Sequence, residues 1–67
     1  MRYAEVVVDG RYTIAMGSER VVIHLVLGDV WDVIAKELYH VTLERGDIRM
    51  KLSRKTFDQC FRFMRGV

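Results

Sequence analysis

Residues 41–52 constrain the fold of this chain more than any other stretch. Val41-Thr42-Leu43-Glu44 and Ile48-Arg49-Met50-Lys51-Leu52 alternate apolar with polar residues on either side of Gly46-Asp47. Strict alternation is the mark of a strand with one buried face, and glycine in the first loop position suits a two-residue type II′ turn. That turn pairs Arg45 with Ile48, Glu44 with Arg49, Leu43 with Met50, Thr42 with Lys51 and Val41 with Leu52. Val41, Leu43, Met50 and Leu52 then face a core, and Thr42, Glu44, Arg49 and Lys51 face water. The tripeptide Arg45-Gly46-Asp47 is spelled like an adhesion motif, but the bend accounts for its glycine.

The chain continues directly into a basic amphipathic segment. Ser53 is a helix N-cap, and Thr56 with Gln59 offers a second capping box. Phe57, Cys60, Phe61 and Met64 recur at helical spacing, Phe63 lies off that stripe, and Gly66 is the stop. On the N-terminal side, residues 3–8 and 11–16 are strand-like around Asp9-Gly10. The cleanest register places Gly10 at a bulge and pairs Val7 with Arg11. Residues 20–27 form an almost unbroken Val/Ile-rich run, the pattern of a central strand buried on both faces. One side would carry Val21, Ile23, Leu25 and Leu27, the other Val22, His24 and Val26. Asp29 as N-cap, the stripe Val30, Trp31, Ile34, Ala35 and Leu38, and the Asp32/Lys36 pair predict a helix over 29–40.

The expected architecture is one domain over residues 1–67, α+β, in the order β-β-β-α-β-β-α. A five-stranded antiparallel sheet would carry both helices on one face. The other sheet face, with Val22, His24 and Val26, is then too apolar to leave wet and is the expected dimer face. Composition supports that need. At 67 residues a single core is thin, 51% of the residues are hydrophobic, and a lone cysteine supplies no disulfide. The single cysteine, the absence of an apolar run of about 18 residues and the polar opening residues Arg2 and Glu5 fit a cytoplasmic protein without a membrane span. An opening Met1 at this length fits a free-standing reading frame of the kind that encodes regulators or inhibitors.

Charge is uneven. Residues 1–44 carry four cations against seven anions, and residues 45–67 carry seven against two. Such asymmetry points to an acidic partner for the C-terminal third, although a basic face also serves solubility alone. The candidate contacts are Arg45, Arg49, Lys51, Arg54, Lys55, Arg62 and Arg65, with Phe63 as an aromatic anchor. Arg54 and Lys55 stand out, because cations in a first helical turn oppose the helix dipole. His24, His40 and Cys60 lack metal-ligand spacing, so no metal or other cofactor is expected. His24 reads as a core or interface histidine, His40 as a cation at a helix end and Cys60 as a small hydrophobe. No nucleophile–base pair or phosphate loop is present, and so thin a core leaves little room for a pocket of about 300 Å³. The sequence therefore predicts a small non-enzymatic protein that docks on a larger protein or nucleoprotein, such as a phage-encoded inhibitor of a host or defence system. A small dimeric DNA- or RNA-binding regulator and a purely structural homo-oligomer are the alternatives.

Overall fold

The computed structural model describes residues 2–16 and 18–64. Seven strands and one short helix follow in the order β1 (Arg2–Val6), β2 (Gly10–Met16), β3 (Glu19–Leu25), β4 (Val30–Lys36), β5 (His40–Arg45), β6 (Ile48–Ser53), α1 (Arg54–Cys60) and β7 (Phe61–Phe63). An antiparallel five-stranded sheet has the order β6-β5-β4-β1-β7, and β2 with β3 makes a separate two-stranded ribbon. The fold is α+β with a five-stranded antiparallel sheet, as expected. Its strand order differs from the expectation, and the described residues hold one helix where two were expected.

The β5–β6 hairpin has the register read from the alternation, from Val41↔Leu52 to Arg45↔Ile48. Gly46 sits at φ 58° and, among the described residues, no non-glycine residue has positive φ, so the turn is of the II′ kind, with positive φ only at its first position. Val41, Leu43, Met50 and Leu52 are buried, and Glu44 meets Arg49 across the strands. Ser53 caps α1: its Oγ accepts the Thr56 amide at 3.2 Å.

The segment over 29–40 is a strand where a helix was expected. In β4, Trp31 is only 2% exposed and Val33 and Ala35 are half-buried, while Val30, Asp32, Ile34 and Lys36 are exposed. Val, Ile and Trp favour a pleated surface, and this short run satisfies a period of two as well as one of 3.6. Tertiary pairing decides it. β4 is the middle strand, bonded to β1 on one side and β5 on the other, with a bulge at Ile34. Asp29 caps no helix; its carbonyl accepts the Val6 amide at 2.8 Å and its carboxylate takes Arg45. His40 opens β5 on the surface, and the bulge puts Asp32 opposite outward-facing Glu44 but Lys36 opposite buried Val41, so the two do not share a face.

The first hairpin is also corrected. β1 does not pair with β2, because both of its edges are taken. It bonds to β4 and to β7, and the Val7 amide reaches the Cys60 carbonyl at 2.8 Å. β2 pairs with β3 instead, from Gly10↔Leu25 to Met16↔Glu19. Residues 20–27 are consequently not a central strand. Ile23 and Leu25 are buried, whereas His24 is exposed, Val22 is 61% exposed and Val26 47%. A two-stranded ribbon has only one face to bury, so an apolar run within it leaves the other open.

α1 ends at Cys60, one turn short of the expected stop. Phe61 is extended at φ −127°, ψ 160°, and Phe61–Phe63 adds to β1 as β7. Phe61 reaches the core in either geometry; Met64 is left on the surface. This short helix bridges the two outermost strands of the sheet. A flat five-stranded sheet would hold those edges ~19 Å apart, whereas seven helical residues span ~10 Å. The sheet therefore curls, and its concave side encloses the core of Ala4, Val6, Trp31, Leu43, Phe57 and Phe61. Phe57 stacks on Phe61 with centroids 5.4 Å apart, and Trp31 meets Phe61 edge-on at 6.4 Å.

The ribbon is pinned to this body by Ile23 and Leu25 and by a hydrogen bond between the Tyr12 phenol and the Cys60 thiol. That bond, with burial second, raises the Tyr12 pKa above its ordinary value of 10.0. The fold thus favours the neutral phenol. Its stabilising contribution is present below pH ~10 and is lost as pH climbs through the raised value. Phenolate absorbance should show Tyr12 titrating late, a signal that Tyr12→Phe removes and Cys60→Ala moves back toward the ordinary value, leaving the smaller contribution of burial. Strand and helix readings of residues 29–40 also separate cleanly. Leu43→Ala should cost about 2–5 kcal/mol in urea unfolding, and Leu38→Ala, on the supposed apolar stripe, within about 0.5 kcal/mol. A large loss at Leu38 would restore the helix.

Candidate interaction surface

Most of the cations singled out in the sequence share the β5–β6 hairpin and the start of α1. Arg49 and Lys51 project from the outer face of β6, Arg45 stands at the turn, and Arg54 and Lys55 open the helix. The first turn of α1 holds no acidic residue, so the two cations there oppose the helix dipole uncompensated by side chains of that turn. β6 is six residues long, which separates Arg45 and Arg49 at its turn end from Arg54 and Lys55 by ~17 Å. Arg62 lies on β7, at the opposite edge of the sheet. Arg65 falls outside the described residues.

Several of these charges already have acidic neighbours. Arg45 Nη1 lies 2.6 Å from Asp29, and Arg49 grips Glu44 through Nε and Nη2 at 3.0 and 2.7 Å. Looser pairs join Lys51 to Glu37 at 3.7 Å, Arg54 to Asp58 at 3.6 Å and Arg62 to Glu5 at 3.5 Å. Solvent-exposed pairs of this kind contribute at most about 1 kcal/mol each. Phe63 is not a free anchor. It packs against Phe57 with centroids 4.6 Å apart, and Lys36 Nζ and the Arg54 guanidinium lie over its ring at 4.6 and 5.8 Å.

The structure adds residues that the expected helix had hidden. Leu38 is 77% exposed and Tyr39 72%, side by side in the connection between β4 and β5. The Arg54 amide donates to the Tyr39 carbonyl at 2.8 Å, so this apolar tip abuts the cationic start of α1. Two large apolar side chains next to each other in a strand connection, where turn residues belong, are the signal that would have found them. Lys36, through its place over Phe63, extends the same patch.

A second feature also departs from expectation. An open cleft of about 680 Å³ lies between the ribbon and β6, lined by Tyr12, Thr13, Thr42, Arg49, Met50, Lys51, Leu52, Ser53 and Thr56. The ribbon standing beside the sheet makes room that the thin core does not. No acidic side chain lines the cleft. Among the described residues, no group of three or more His, Cys, Asp or Glu is placed to hold a metal ion. The Cys60 thiol is buried against Tyr12 and is not presented to a substrate. Val22 and His24 lie on the outer face of β3, and Val26 follows just beyond its end, all three open to solvent. Among the described residues, no helix is long and apolar enough to cross a membrane.

No family model, curated protein or solved structure matches this chain. The Glu44–Arg49 contact tests the geometry of the patch. A double-mutant cycle with Glu44→Ala and Arg49→Ala should return a coupling of about 0.2–1 kcal/mol that shrinks as salt is added. A coupling that ignores salt would show that the two side chains meet through packing.

Proposed function

We propose that this protein is a small non-enzymatic binding module that docks on a larger protein or nucleoprotein through the β5–β6 hairpin and the start of α1. The observation that carries this reading is the juxtaposition of Leu38 and Tyr39 with Arg54 and Lys55. Exposed aromatic and aliphatic side chains beside cations have the composition of an interface centre. Leu38, Tyr39 and Lys55 are exposed and take no part in closing the core. Arg54 and Lys55 sit where the helix dipole disfavours them, a local cost that a binding role explains. An inhibitor or regulator acting in the cytoplasm on an acidic protein surface, for instance one encoded by a phage against a host or defence system, has these properties.

Direct nucleic-acid binding, the reading of a small dimeric DNA- or RNA-binding regulator, is less favoured. Five of the sequence-picked cations are already near carboxylates, which phosphates would have to displace. A homodimer through Val22, His24 and Val26 is compatible with the docking role, because those residues lie on or next to the ribbon and none belongs to the patch. Light scattering at a monomer mass would remove the dimer.

The patch is tested by comparing the unaltered protein with Tyr39→Ala/Lys55→Glu, both immobilised against a lysate, with the captured protein identified and titrated. Both substitutions lie on the surface, so stability should change within about 0.5 kcal/mol. Affinity for the identified protein should fall by roughly a hundredfold, about 2.7 kcal/mol. Equal capture by both proteins would move the contact elsewhere. Tight binding to arbitrary DNA, with log K falling steeply against log salt, would favour the phosphate reading instead.

A further inference from the structure

We infer that the cleft between β2 and β6 is a slot for an extended acidic segment of the partner, which adds to the free edge of β6 as a strand. This rests on the binding-module reading and specifies how the partner is held.

β6 is an outermost strand of the sheet. Its register fixes which backbone groups are free. Arg45 and Ile48 flank the two-residue turn, so they form a hydrogen-bonded pair, and so do Leu43 with Met50 and Val41 with Leu52. The N–H and C=O groups of Arg49 and Lys51 and the N–H of Ser53 consequently point away from β5; the Ser53 carbonyl is taken by the first turn of α1. The Arg54 amide donating to the Tyr39 carbonyl is the next step of the same alternation. Across the cleft stand Tyr12 and Thr13 of β2, whose other edge is bonded to β3. Among the described residues, no backbone hydrogen bond joins β2 to β6. Two strand edges thus flank one open slot, the arrangement that strand addition uses.

Charge selects the occupant. Arg49 and Lys51 line the slot together with the hydroxyls of Thr13, Thr42, Ser53 and Thr56, and no carboxylate does. Cations on an edge strand also discourage pairing with a copy of itself. A second β6 laid against this one would bring Arg49 and Lys51 against their own kind, and like charges across a strand pair repel. An extended segment bearing Asp or Glu meets the opposite situation.

The probe is a short capped peptide alternating glutamate with valine and threonine, titrated to millimolar concentration into the labelled full chain. The amides of Arg49, Lys51 and Ser53 should shift and gain protection from hydrogen exchange. N-methylation of alternate peptide amides leaves the protein untouched and should weaken binding by roughly tenfold or more. Lys51→Glu should weaken it to a similar extent, and a lysine-bearing peptide should not compete. Unchanged Arg49, Lys51 and Ser53 amides at the highest peptide concentration overturn the slot. Equal binding of the N-methylated peptide overturns it too. Shifts of the same amides that grow with protein concentration alone would assign the edge to a second copy. Larger shifts with oligothymidylate would assign it to a nucleic acid. If the lysate partner's binding depends on Tyr39 and Lys55 but not on Lys51, the patch stands and the slot falls. If the peptide fills the slot while the Tyr39→Ala/Lys55→Glu protein captures as before, the slot stands and the patch falls.

Discussion

A seven-residue helix joins the two outermost strands of a five-stranded sheet, and the rest of the structure follows from that short span. The connection is too short for a flat sheet, so the strands must curl. Curling creates an inside for Trp31, Phe57 and Phe61, which the ribbon joins through Ile23 and Leu25. The helix begins where it does because Ser53 satisfies the Thr56 amide. It ends where it does because Phe61–Phe63 finds β1 with a vacant edge. α1 also offers Cys60 to Tyr12, and so holds the ribbon beside β6. The cleft between ribbon and sheet is a consequence of this attachment.

The parts of this architecture visible in the sequence are those fixed locally. The β5–β6 hairpin is set by its own alternation and its glycine, and no distant contact is needed to register it. The cap at Ser53 is equally local. β4 is the opposite case. Val30, Trp31, Ile34, Ala35 and Leu38 match a helical stripe, while Trp31, Val33 and Ala35 match one strand face. Only the hydrogen-bonding needs of β1 and β5 on either side decide between them. Residues 20–27 fail for a related reason. An unbroken apolar run states that one face can be buried, and is silent on whether a second layer exists to bury the other. The Asp9-Gly10 turn lost to β1 because a strand with partners on both edges cannot also close a hairpin with its sequence neighbour.

The same division runs through the candidate surface. The placement of Arg49, Lys51, Arg54 and Lys55 on one hairpin–helix unit follows from local structure and was legible. Of the ion-pair partners, Glu44 and Asp58 are local to that unit, whereas Glu37 on Lys51, Asp29 on Arg45 and Glu5 on Arg62 come from elements whose positions depend on the whole sheet. Leu38 and Tyr39 were hidden by the helix assignment that placed them on its last turn. Phe63 moves the other way, from a presumed exposed anchor to a ring shared between the core and two cations.

The ion pairs bear on binding through their weakness. Lys51 and Glu37 are 3.7 Å apart with both side chains more than half exposed, a geometry that contributes little in water. A carboxylate arriving along the β6 edge can therefore replace Glu37 on Lys51 at small cost. It would also gain backbone hydrogen bonds that Glu37 does not supply. Arg49 is held more firmly, by two hydrogen bonds to Glu44, so it stays oriented while Lys51 exchanges partners. A firmly held cation next to a loosely held one gives an edge that repels its own kind, yet accepts an acidic strand without first dismantling the fold.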